Sequence, residues 1–193
     1  MRISEISRKT AETDISIRLC IDGEGKYCIE SGVGFFDHML SSFSKHSGFD
    51  LDVKCTGDTY VDFHHTVEDV GIVLGKAVKE CLGDCKGIER FASAMIPMDE
   101  ALVTSAVDVS GRGGAYITLD LQSNRVGDFD TELVYDFFES FAKEAGITLH
   151  IKQERGRNTH HIIEAAFKSV ARSLKYALRI TSQGVPSTKG VIQ

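Results

Sequence analysis

No stretch of this sequence approaches the roughly 20 consecutive apolar residues that a membrane span needs. The opening MRISEISRKTAETD holds no apolar core of an export signal. No membrane partner is therefore expected, and the chain reads as cytoplasmic. A basic excess is also missing: 22 Lys and Arg against 28 Asp and Glu give a formal net charge of −6. A mildly acidic chain has no general attraction to nucleic acid, so any bound phosphate must be held by a local basic cluster. No Cys-x-x-Cys pair occurs. Cys20, Cys28, Cys55, Cys81 and Cys85 are odd in number and fit reduced thiols in a reducing compartment. Cys81 and Cys85 resemble half of a metal site, but no second pair completes it. Walker and dinucleotide fingerprints are absent too. GEGK at 23–26 and GRGG at 111–114 lack the strand-loop-helix setting and read as hairpin turns.

What is present is a core and a repeat. A hydrophobic share of 42% over 193 residues suffices for an ordinary globular unit and excludes disorder or a disulfide-stapled miniprotein. The segment GFFDHMLSSFSKHSGFDLDVKC (34–55) parallels VYDFFESFAKEAGITLHIK (134–152). Aligning His38 with Asp136 places Phe43 on Phe141 and Gly48 on Gly146, and each segment then runs into an alternating strand. Upstream, strand-like segments fall at 2–8, 13–22 and 27–31 in one half and at 91–97, 101–109 and 114–121 in the other. The expected fold is α+β: internally duplicated β-β-β-α-β-α halves, each a sheet with two helices on one face. The halves span 1–90 and 91–193 within one two-repeat unit. Ile162, Ile163, Ala166, Phe167, Val170, Leu174, Ala177 and Leu178 recur at helical spacing as a core face, while Arg172, Lys175 and Arg179 read as a solvated stripe. From the Met1 start and the length, a stand-alone protein is expected.

Four of the seven histidines fall in two His-His-x-x-Glu units, His64-His65-x-x-Glu68 and His160-His161-x-x-Glu164. On a helix, positions i and i+4 share a face, so each Glu can meet a metal with one of its own histidines. Adjacent histidines diverge by about 100°, so His64 and His65 should serve different ions. A single such unit could be a helix-terminal polar cluster; two at equivalent places in a duplicated chain favour metal binding. His38 could be a core histidine, but its equivalence to Asp136, an oxygen ligand type, favours a ligand role for both. His46 and His150 have no such support. A mixed N/O donor set over two ions suits Mn, Fe or Co better than Mg or Ca. The tail PSTKG (186–190) offers hydroxyls, a cation and backbone N–H groups, a phosphate clamp in outline. Arg90 and Arg112 flank strands and could add charge.

GFFDHML, DFHHTVEDVGIVLG, PMDEAL, DVSGR, GRNTHHIIEAAFK and PSTKG resemble, in order and over essentially the whole chain, the signature segments of the imidazoleglycerol-phosphate dehydratase family. The resemblance implies dehydration of imidazole glycerol phosphate, a phosphorylated imidazole, to imidazole acetol phosphate in histidine biosynthesis. It implies two Mn2+ ions per site and a homo-oligomer, a hollow assembly of 24 subunits with active sites between them. By motif it implies His38, His64, His65, Glu68, Asp136, His160, His161 and Glu164 as metal ligands, with Asp136 standing where many relatives have His. It implies Glu12 as the acid/base and Arg90, Arg112, Lys168, Ser187 and Lys189 as phosphate ligands; Asp99 and Glu100 look family-typical without an assigned role. The expected course has a metal-bound imidazolate expel the C3 hydroxyl before a base removes the C2 proton. Metal loading should fail below about pH 6, because imidazole must be neutral to ligate. Rival readings are a dinuclear hydrolase of a phosphorylated small molecule, with closely spaced metals, and a metal-storage or sensing protein, which needs neither Glu12 nor the tail.

Overall fold

The computed structural model describes residues 1–192. Strands β1 (Ile3–Lys9), β2 (Thr13–Cys20) and β3 (Tyr27–Glu30), helix α1 (Gly34–Ser47), strand β4 (Asp50–Gly57) and helix α2 (His64–Leu82) make the first half. Strands β5 (Phe91–Met98), β6 (Ala101–Asp108) and β7 (Gly114–Thr118) open the second. It adds a short hairpin, β8 (Arg125–Val126) and β9 (Phe129–Asp130), before α3 (Leu133–Ala145), β10 (Thr148–Arg155) and α4 (Thr159–Ala177). The β-β-β-α-β-α order is therefore present twice. The β8–β9 hairpin is an insertion that two-residue strands do not announce by periodicity.

Each half builds its own four-stranded sheet, in the orders β1-β2-β4-β3 and β5-β6-β10-β7. The expected hairpin turns at 23–26 and 111–114 are corrected here. In each half the fourth strand inserts between the second and third, antiparallel to one (Ile17↔Val53; Ser105↔Ile151) and parallel to the other (Ile29↔Val53; Ile117↔Ile151). GEGK and GRGG therefore bridge a one-strand gap instead of closing a hairpin. Their glycines supply the left-handed backbone this needs, with φ of 78° at Gly25 and 80° at Gly111.

Alternation decides which sheet face is covered. Ile15, Ile17, Leu19, Leu51 and Val53 point inward and are buried, as are Val103, Val107, Leu149 and Ile151 across the molecule. The four helices lie between the sheets and pair across the halves, α2 with α3 and α1 with α4. Phenylalanines join them: Phe36 meets Phe137 at 5.3 Å and Phe43 meets Phe141 at 6.1 Å between ring centroids. Helices α2 and α3 approach closely because α2 carries Gly71 and Gly75. A Cβ there would stand 2.8 Å from the Phe137 carbonyl oxygen and 2.6 Å from that of Phe141.

The outer faces differ. On the first sheet Arg18 meets Glu5 at 3.0 Å beside exposed Asp52 and Lys54. On the second, Phe91, Met95 and Tyr116 are exposed, and Tyr116 stacks on His150 at 4.7 Å. All eight apolar residues expected on the core face of α4 are buried. The solvated stripe needs correction at Arg172, which is half-buried: it donates to the Tyr176 hydroxyl and lies over that ring at 4.9 Å.

Candidate active site

Both His-His-x-x-Glu units open helices. Asp62 Oδ1 accepts the His64 amide at 2.8 Å, and Asn158 Oδ1 accepts the His161 amide at 3.3 Å, which occupies N–H groups that the first turn leaves free. Helical geometry turns neighbouring rings apart: His64 and His65 centroids are 6.1 Å apart at 75°, His160 and His161 6.2 Å apart at 79°. The first histidine of each pair joins its own Glu and one residue from the other half. His160 Nε2 lies 3.2 Å and His38 Nε2 3.5 Å from Glu164 Oε2. The ligand atoms of His38, His160 and Glu164 all lie within 4.8 Å of one another. In the companion trio, His64 Nδ1 is 3.3 Å from Asp136 Oδ2 and its Nε2 3.7 Å from Glu68 Oε2. His38 and Asp136 thus take equivalent places, each near the start of its helix.

The second histidines stand outside both trios. Asp58 receives His65 Nδ1 at 3.0 Å, while His65 Nε2 faces Glu12 Oε1 at 3.6 Å. The hydrogen bond to Asp58 raises the pKa of His65 against partial desolvation, with the Asp58, Glu12 and Asp62 charges adding to the rise. Glu100 receives His161 Nδ1 at 2.8 Å; its other oxygen accepts the Asn158 and Arg157 amides at 2.7 and 3.2 Å. His161, then these two amides, hold the Glu100 carboxyl down at about 2. Burial pushes the Glu164 carboxyl up, but Lys168, whose ammonium donates at 2.8 Å, and His38 outweigh it and keep the pKa below its ordinary value.

Imidazole and carboxylate groups converging from two helices form the mixed N/O donor set that Mn, Fe or Co ions accept. Ligand atoms this close can share one ion, and without it the buried Glu164 facing two histidines would depend on Lys168 for its counter-charge. The donor set fits the implied metal.

Arg90, Ser110, Arg112, Ser187, Thr188 and Lys189 line one cavity of about 410 Å³. Arg90 is anchored from Asp108 at 2.8 Å and donates to the Pro186 carbonyl at 2.8 Å, which fastens the tail to the second sheet. Among the described residues, Arg112 and Lys189 have no carboxylate within salt-bridge distance and can face an anion. Lys168 is not placed with them: its ammonium sits on Glu164 and 3.2 Å from Met98 Sδ. His46 carries burial and the Lys168 and Arg172 charges, which lower its pKa. Asp58 and Glu100 were not assigned roles by sequence reasoning. A lone carboxylate in a loop has no periodicity to mark it, although Glu100 sits in the repeat position of Glu12, directly before the second strand of its half.

A family model described as imidazoleglycerol-phosphate dehydratase matches residues 31–174. The imidazoleglycerol-phosphate dehydratase of Thermoanaerobacter pseudethanolicus is 56% identical, over 100% of both chains. That of Desulforamulus reducens is 53% identical, over 99% of this chain and 98% of its own. The crystal structure of the enzyme from Staphylococcus aureus superposes with a TM-score of 0.85 at 41% identity, covering 93% of this chain and 99% of that one.

Proposed function

The chain belongs to the imidazoleglycerol-phosphate dehydratase family, and from that premise we propose that it is a manganese-dependent hydro-lyase whose two repeats, 1–90 and 91–193, build one kind of site. The hydro-lyase activity on imidazole glycerol phosphate, in histidine biosynthesis, goes with that membership. Metal dependence is supported by one observation: the ligand atoms of His38, His160 and Glu164, drawn from both halves, lie within 4.8 Å of one another, and their repeat counterparts Asp136, His64 and Glu68 gather more loosely at the start of α2.

When bound, two Mn2+ ions would supply Lewis acidity and a template for an imidazole ring. His38, His160 and Glu164 would hold one, and His64, Glu68 and Asp136 the other. Arg112 and Lys189, with Ser187 and the anchored Arg90, grip the phosphate and orient the chain of the substrate toward the trios. Glu12, exposed at the β1–β2 turn, removes the C2 proton and delivers a proton to the departing C3 hydroxyl. Water leaves, and the resulting enol tautomerises to the ketone.

His65 and His161 remain outside the trios of their own chain, which supports completion of each ion's shell by another copy and active sites between subunits of a homo-oligomer, on the family pattern 24. The exposed Phe91, Met95 and Tyr116 on the second sheet favour association as well. No helix among the described residues is long and apolar enough to cross a membrane; a cytoplasmic location fits a biosynthetic enzyme. The test is turnover: protein stripped with chelator and refilled with Mn2+ should form the ketone from imidazole glycerol phosphate, and stripped protein should not. Full turnover without divalent metal would remove the metal from the reading.

A further inference from the structure

We propose that Glu100 is a positioning residue that fixes the His161 ring in the Nδ1–H tautomer, and that Asp58 does the same for His65, so that both rings keep Nε2 bare for a metal ion. The proposal rests on the reading of His65 and His161 as metal ligands.

The argument is one of donors and acceptors. An ionised carboxylate only accepts, so a 2.8 Å contact from His161 Nδ1 to Glu100 Oε2 requires the proton on Nδ1. The same holds for His65 Nδ1, with Asp58 oxygens at 3.0 and 3.1 Å. A neutral imidazole has one N–H, so Nε2 is left with its lone pair. The two carboxylates come from different places in the repeat. The loop before α2 runs from residue 58 to 63 and supplies Asp58; the loop before α4 runs only from 156 to 158 and supplies none. Glu100, arriving from the β5–β6 turn, fills that gap. Its repeat counterpart Glu12 is relieved of the task by Asp58 and faces Nε2 of its histidine instead.

The two carboxylates also differ in how they are occupied, and this makes the assignment testable. Both oxygens of Asp58 serve His65 alone. Glu100 divides its oxygens, Oε1 to the Arg157 and Asn158 amides and Oε2 to His161. In Asp58→Asn the amide oxygen can turn to Nδ1–H and preserve the tautomer. In Glu100→Gln the single oxygen stays on the two backbone donors. The NH2 group then meets Nδ1 and drives the ring proton onto Nε2, where the metal should bind.

The experiment measures Mn2+ binding to chelator-stripped full-length protein, from the free-ion electron paramagnetic resonance signal, for wild type, E100Q, D58N, D58A and H161A. Expected are losses of about 10–100-fold in affinity for E100Q and D58A, the range for removing an orienting partner, with D58N close to wild type. H161A should lose tight binding of the ion that His161 helps to hold and keep the other. Wild-type affinity in E100Q, with H161A impaired, overturns the tautomer assignment and leaves the ligand reading standing. Wild-type affinity in H161A overturns the ligand reading and the proposal with it. If E100Q melts well below wild type, the ring-nitrogen NMR shifts of His161 in metal-free wild-type protein decide: a proton on Nδ1 supports the assignment and a proton on Nε2 overturns it.

Discussion

Glu68 and Glu164 hold the same position in the two repeats, yet the Glu164 side chain is 9% exposed and that of Glu68 45%. The charges beside them differ one turn along each helix. Lys168 stands after Glu164 and neutralises it; the equivalent position after Glu68 is Ile72, which offers no charge. The same contrast runs through the partners. His38 reaches Glu164 from α1, whereas the shorter Asp136 lies nearer His64 and leaves its trio more open. Duplication delivered two copies of one ligand pattern, and burial then separated them into a tight site with its own counter-cation and a looser, more solvated one.

The sharpest break between the halves should be Glu12→Gln. Removing a general acid/base lowers rates by about 10²–10⁴-fold. Steady-state kinetics should show that fall in kcat with Mn2+ binding intact, the opposite of the metal loss expected at its repeat counterpart Glu100. The next contrast is in stability. Glu164→Ala leaves the half-buried Lys168 without its carboxylate and should cost up to about 3 kcal/mol in denaturant unfolding of metal-free protein. Glu68→Ala removes an exposed group and should cost less than about 1 kcal/mol. Equal costs would show that the burial difference carries no energy. Lys189→Ala should raise KM about 10–100-fold, the loss of one hydrogen bond to a charged group, with a smaller change in kcat. On the outer faces, Met95→Glu should shift the protein to smaller species in sedimentation while Arg18→Glu leaves its size unchanged, since Met95 sits with exposed Phe91 and Tyr116 on the second sheet and Arg18 sits among charged Glu5 and Asp52 on the first. The smallest effect concerns acid. The Glu100 carboxyl is held at about 2, below its usual 4.5, so its contribution to the α4 terminus is complete above pH 4.5 and fades as pH falls toward 2. Melting of the metal-free protein should decline through that window, with a shallower slope in E100Q.

Much of this was legible in sequence because it is periodic. The strand at Thr13–Cys20 alternates and the helix at Thr159–Ala177 repeats at helical spacing, so both elements and their buried faces follow from local pattern. The pairing order does not. Nothing in Tyr27–Glu30 states that β4 will insert between it and β2, because that choice is made by contacts distant in the chain. The metal-ligand candidates stand out by their spacing, and the repeat alone links His38 to Asp136. Asp58 was silent, being one Asp among several in a loop. Lys168, carried over by motif as a phosphate ligand, contacts Glu164 and Met98 within its own chain and lies outside the cavity that gathers Arg90, Arg112, Ser187 and Lys189.

Gly71 and Gly75 carry a consequence for the history of the molecule. Their counterparts in α4 are Phe167 and Ala171, so the two helices are no longer interchangeable. Any side chain added to α2 at these places would meet the backbone of α3. A single ancestral repeat pairing with itself would have needed one sequence to satisfy both helix contacts. In a chain that holds both repeats, each contact is served by its own sequence: the glycines of α2 admit the α3 backbone, and α4 keeps side chains at the equivalent places. Neither helix could replace the other across the shared core, because Phe167 in the place of Gly71 would run into the Phe137 carbonyl.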